Sequence, residues 1–160
     1  MDTKDRARER LEGAKDVLLD LSHRIHANPE LAFEEHKAAG WLTETLEKAG
    51  FAVERGVCDL PTAFVARYGT GPLHVAVCAE YDCLPGIGHA CGHNVIAASA
   101  VGAGLAVAAV AEEIDVTVSV LGTPAEEGGG GKILMLERGA FEGIHAAMMV
   151  HPAPIDVVDP

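Results

Sequence analysis

Between Asp115 and Leu121 the chain reads DVTVSVL, a nearly continuous run of β-branched residues. Such a run is expected of a strand buried on both faces, and such strands belong to sheets covered by helices on either side. The 160 residues suffice for one domain with a real core and are short for two. Aromatic residues make up only 4% of the chain, so Ala, Val and Leu carry the apolar content. That composition favours helices packed on a sheet through small side chains.

The flanking segments supply those helices. Residues 4 to 27 repeat apolar positions at helical steps (Leu11, Ala14, Leu18, Leu21, Ile25), and Asn28-Pro29 stops the pattern. Glu34 to Ala49 predicts a second helix with Ala38, Trp41, Leu42, Thr45, Leu46 and Ala49 inward, closed by Gly50. The period then becomes strand-like at Phe51 to Arg55, Thr62 to Tyr68 and Leu73 to Tyr81. The intervening GTGP, residues 69 to 72, reads as a tight turn that joins the last two strands as a hairpin. A small-residue helix from His93 to Ala111, a glycine loop at Gly128 to Gly131, a short helix from Lys132 to Arg138 and a strand at Ala146 to Val150 complete the pattern. The expected fold is α/β, a mixed sheet flanked by helices.

A net charge of -12 repels phosphate backbones and offers no basic patch to anionic lipid, which argues against nucleic-acid and membrane partners. The first residues have no apolar core of signal-peptide type. Val95 to Ala111 is interrupted by Ser99, Gly102 and Gly104 and reads as a buried helix rather than a span. The expected location is the cytoplasm, where Cys58, Cys78, Cys83 and Cys91 stay reduced.

Three clusters carry chemistry, and each follows a strand, where ligand sites of α/β sheets gather. AEYDCLPGIGHACGHN, residues 79 to 94, holds Glu80, Asp82, His89, Cys91 and His93. One glycine separates Cys91 from His93, so an extended backbone presents thiolate and imidazole to one metal or to two adjacent ones. TPAEEGGGG, residues 123 to 131, places Glu126 beside Glu127, and these repel each other unless a cation or proton intervenes. In MMVHPAP, residues 148 to 154, His151 occupies the position of a strand-end ligand. Each cluster also has a plain reading, as loop or capping histidines and a buried thiol, a solvated acidic turn, and a structural histidine. Together they suggest two divalent metals, zinc or similar borderline ions, that share a water. Glu126 is then the general base and Glu127 a ligand.

The order D-x-L-P, G-H-A-C-G-H, P-A-E-E-G-G-G-G and a strand-end histidine resembles the M20 metallopeptidases, in their aminoacylase-like branch with Cys-Gly-His ligands. That branch includes N-acyl amino acid amidohydrolases, aminobenzoyl-glutamate hydrolases and a related dipeptidase, and the first motif is most similar to the last two. The segment His23 to Glu35 is similar to the family's first helix and turn. The resemblance implies Cys91, His93, Glu127 and His151 as metal ligands, Glu126 as general base and Asp82 as the acid that orients the centre. Glu80 falls where other branches carry a ligand histidine and stays unassigned, and His89 has no role. The implied substrate is an N-acyl amino acid or small dipeptide. The implied fold is a zinc-peptidase-like catalytic domain, expected here to be cut before a lid domain that mediates homodimerisation. Two rival expectations stand beside it. One is an inactive or structural metal-binding fragment, and the other is a hydrolase that uses Cys91 as nucleophile.

Overall fold

The computed structural model describes residues 2–153. Its elements in chain order are α1 (Thr3–Gly13), α2 (Lys15–Ala27), α3 (His36–Lys48), β1 (Ala52–Arg55), β2 (Phe64–Tyr68), β3 (Leu73–Ala79), α4 (His93–Ala108), β4 (Val116–Gly122), α5 (Glu126–Gly129), α6 (Gly131–Glu137) and β5 (Ala146–Met148). They build a mixed five-stranded sheet of order β1-β2-β4-β3-β5, with β3 parallel to both β4 and β5.

The DVTVSVL segment lies at the centre, as its two-sided pattern requires. Val118 and Val120 join the main core with Leu21, Ile25, Leu42, Leu46, Phe64, Val77, Val101 and Leu105, beneath α1 to α4. Leu121 points to the other face, where it meets Val65, Ala76 and Cys78 under Phe141, Ile144 and Met149. Gly104 lets α4 lie directly on this strand, because a Cβ there would come within 2.5 Å of Val120 Cγ2. Among the described residues no helix is long and apolar enough to cross a membrane.

Two local expectations are corrected. The segment 69 to 72 does not close a hairpin: β2 pairs antiparallel with β4, and β3 pairs parallel with β4 on its other side. The turn instead crosses the start of β4. Gly71 packs so closely there that a Cβ would lie 2.0 Å from Asp115 C, and Thr117 Oγ1 donates to the Gly71 carbonyl at 2.8 Å. The strand with two apolar faces takes the covered position between them. The first helix also breaks in two. Gly13 ends α1 and buried Ala14 leaves the helical ladder, so α1 and α2 bend around α4. Leu11, expected inside, is half exposed in consequence.

Smaller differences concern loops. Gly128 and Gly129 belong to the single turn of α5 rather than to a glycine loop. The backbone at Gly92 is left-handed (φ 81°), not extended, and caps α4 at His93. Ile155, Val157 and Val158 lie outside the described residues.

Candidate metal centre

Parallel β3, β4 and β5 end side by side, and the three clusters follow their carboxyl ends. After β3, buried Glu80 and Asp82 flank Tyr81, whose ring stacks on Phe64 and whose hydroxyl donates to the Thr62 carbonyl at 2.6 Å. The first turn after β4 is tied to β3 through Thr123, whose amide donates to the Ala79 carbonyl at 2.9 Å. His93 opens α4 and is buried.

His93 is the centre of the arrangement. Its Nδ1 lies 2.9 Å from Asp82 Oδ1 and 2.9 Å from the Asp82 carbonyl. Both partners only accept, so Nδ1 carries the proton and the lone pair sits on Nε2. That Nε2 is buried without a partner, as is Glu80 Oε2 at 3.6 Å from it. Glu127 Oε1 stands 3.6 Å and Glu126 Oε2 4.0 Å from the same nitrogen. The other Asp82 oxygen accepts the Glu127 amide at 3.0 Å, which ties the two clusters together.

Among the described residues two sets have donor atoms within 4.8 Å of one another: Glu80, His93 and His151, and His93, Glu126 and Glu127. The His151 ring meets the His93 ring edge-on at 6.2 Å. Cys91 is in neither set, but the Glu127 carboxylate is near enough to perturb its thiol, and Gly92 beside it packs against Pro152. The structure thus gathers Glu80, Glu126, Glu127 and His151 around His93, with Asp82 behind it at Nδ1 and Cys91 near Glu127. His89 is buried nearby, next to the His26 ring, with neither ring nitrogen bonded.

The electrostatics match this crowding. Burial pushes the Asp82 carboxyl up, but hydrogen bonds from His93 and the Glu127 amide outweigh it and hold the group below its usual range. Burial lowers His93, while the hydrogen bond and charge of Asp82 and the charge of Glu80 outweigh that and raise it. The Cys91 thiol is pushed up to about 11, first by the neighbouring Glu127 carboxylate, then by burial and by the charges of Glu126 and Asp82.

Desolvated acceptors aimed at one point are costly unless a cation satisfies them. Carboxylate, imidazole and thiol donors suit a borderline divalent metal. The residues present therefore fit such a cation. One positive charge is built in: Lys132 of α6 pairs with Glu80 and reaches Met149 Sδ at 3.6 Å. Sequence reading placed Lys132 only at a helix start, and nothing local links it to Glu80, 52 residues away. Glu35 and Thr62, which brace the turn before Glu126, were also passed over, although Glu35 closes the segment singled out from His23.

The fold and this acidic, histidine-centred cluster define a class. Residues 76–158, just over half of the chain, match the sequence profile of Peptidase family M20/M25/M40, and the chain belongs to that family. It is 48% identical over 165 residues to the Xaa-Arg dipeptidase of Mus musculus, covering 94% of this chain and 38% of that protein. It is 36% identical to a p-aminobenzoyl-glutamate hydrolase polypeptide of Escherichia coli K12, covering 89% of this chain and 34% of that protein. The chain spans little more than a third of these curated relatives. Among solved structures it superposes on a dinuclear metal binding M20 peptidase of Bacillus subtilis with a TM-score of 0.76 and 26% identity, over 85% of this chain and 42% of that one.

Proposed function

We propose that the chain carries the metal-binding part of an amidohydrolase that cleaves the amide bond of N-acyl amino acids or small dipeptides. The observation that supports this most is the buried, unpartnered Nε2 of His93, faced by the carboxylates of Glu80, Glu126 and Glu127. Cys91, His93, Glu127 and His151 would hold two divalent cations, zinc or manganese. Bound there, the cations supply Lewis acidity toward an amide carbonyl and toward water. Asp82 holds the Nδ1 proton of His93 and so keeps the Nε2 lone pair turned into the site. Glu126 is partly exposed at the site and takes the role of general base, receiving a proton from water and returning it to the leaving nitrogen. Lys132 offsets the charge of Glu80 and leaves the other carboxylates to the metals.

The test uses the 160-residue chain with N-acetyl amino acids, Xaa-Arg dipeptides and p-aminobenzoyl-glutamate, with added zinc or manganese and with chelator. Hydrolysis lost on chelation, and reduced about 10²- to 10⁴-fold by Glu126→Gln with zinc binding retained, is expected. Metal should also raise the melting temperature in a concentration-dependent way. Identical melts with chelator and with saturating zinc would refute the metal centre. Zinc binding without hydrolysis would leave a structural metal-binding chain, and chelator-resistant turnover blocked by alkylation of Cys91 would indicate a thiol nucleophile.

A further inference from the structure

Glu35 closes the segment that begins at His23, and the roles assigned so far make no use of it. Its side chain is wholly buried. One carboxylate oxygen accepts the Ala125 amide at 2.8 Å and the Phe33 amide at 3.0 Å. The other accepts the Thr62 hydroxyl at 2.8 Å. Thr62 in turn receives the Tyr81 phenol, and Tyr81 lies between Glu80 and Asp82. A single carboxylate therefore joins the turn before α3, the approach to β2 and the turn after β4.

The last of these connections bears on the site. Ala125 holds φ at 55°, a left-handed conformation that costs a residue with a Cβ and persists only where its surroundings fix it. Glu126 and Glu127 follow immediately. Mere packing would be served as well by an apolar side chain, since a buried carboxylate is expensive. We infer that Glu35 is a positioning residue: by accepting the Ala125 amide it fixes the turn that directs Glu126 and Glu127 toward His93. The inference rests on the reading of that cluster as a metal-dependent hydrolytic centre. Glu35 acts through the backbone and touches none of the groups around His93 Nε2.

Amide hydrogen exchange of the metal-free 160-residue chain supplies a readout independent of activity. In Glu35→Ala the amides of Ala125 and Glu127 should lose protection while Val118 and Val120 in β4 keep theirs. Glu35→Gln retains an acceptor and should exchange like the parent. Glu35→Asp, which keeps the charge but shortens the reach, should behave as the alanine variant does and serves if that variant fails to fold. Zinc titrated calorimetrically should bind about ten- to a hundredfold more weakly to the Ala and Asp variants and normally to the Gln variant. Unchanged Glu127 protection in Ala and Asp variants, or unchanged zinc affinity in both, overturns the inference. If the parent binds no zinc yet the Ala and Asp variants lose protection, the hydrolytic reading falls and the positioning role stands.

Discussion

Replacing Lys132 with methionine isolates one interaction, because the unbranched stem is kept and the charge is lost. The ammonium pairs with Glu80, whose side chain is 1% exposed, while the lysine is 31% exposed. Removing one partner of a fully buried pair costs about 3–5 kcal/mol. The access of water to the lysine end lowers this, so about 2–3 kcal/mol is expected for Lys132→Met. For a chain of this size that corresponds to a fall in melting temperature of roughly 5–10 °C. The assay is urea denaturation of parent, Lys132→Met, Glu80→Gln and the double variant, all in chelator so that no added cation substitutes for the lysine. The double variant should recover most of the loss, since neither charge is then left alone. A loss under about 0.5 kcal/mol for Lys132→Met, or strictly additive effects, would show that the pair is a surface contact of little weight. Saturating zinc should shrink the loss if a cation can take the lysine's place beside Glu80.

Two further outcomes follow from the charged cluster. His93 titrates higher in the folded chain than its ordinary 6.5, so the stability it contributes is complete below that value and is lost as pH rises through the raised one. Denaturation midpoints of the chelated chain should therefore fall across this window, and Asp82→Asn should flatten the profile; an unchanged profile in that variant counts against Asp82 as the cause. The Cys91 thiol, at about 11 rather than 9.0, holds about a hundredfold less thiolate than an ordinary cysteine at neutral pH. Peptide mapping after iodoacetamide should show slow labelling at Cys91 and faster labelling in Glu127→Gln. Equal rates in the two proteins would remove Glu127 as the group that holds the proton on sulfur.

Patterns confined to a few neighbouring residues were legible in the sequence. The two-faced run at Asp115 to Leu121 announced a central strand, and each chemical cluster stood directly after a strand and beside a turn. What stayed hidden depended on partners far apart in the chain. GTGP has the composition of a hairpin turn, and only the insertion of β4 between β2 and β3 makes it a crossing. The helical period runs unbroken through Gly13 and Ala14, yet the structure divides the helix there. Lys132 and Glu35 look like ordinary charged residues until Glu80 and Ala125 are seen beside them.

The placing of β4 also dictates an order of assembly. Neighbouring strands β2 and β3 share no ladder, so they cannot zip together as soon as both exist. β2 can pair with β1 as soon as both exist, but its other edge, and β3 as a whole, must wait for residues 116–122: Phe64 finds its partner in Gly122, and Val75 in Val118. The intervening loop entropy is spent before any of those contacts forms, which makes this sheet slow to nucleate compared with one built from hairpins. During synthesis β3 emerges with both edges bare and β2 with one, and they stay so until about forty further residues have followed at about 5–20 per second, a window in which they are open to misassociation and to chaperones.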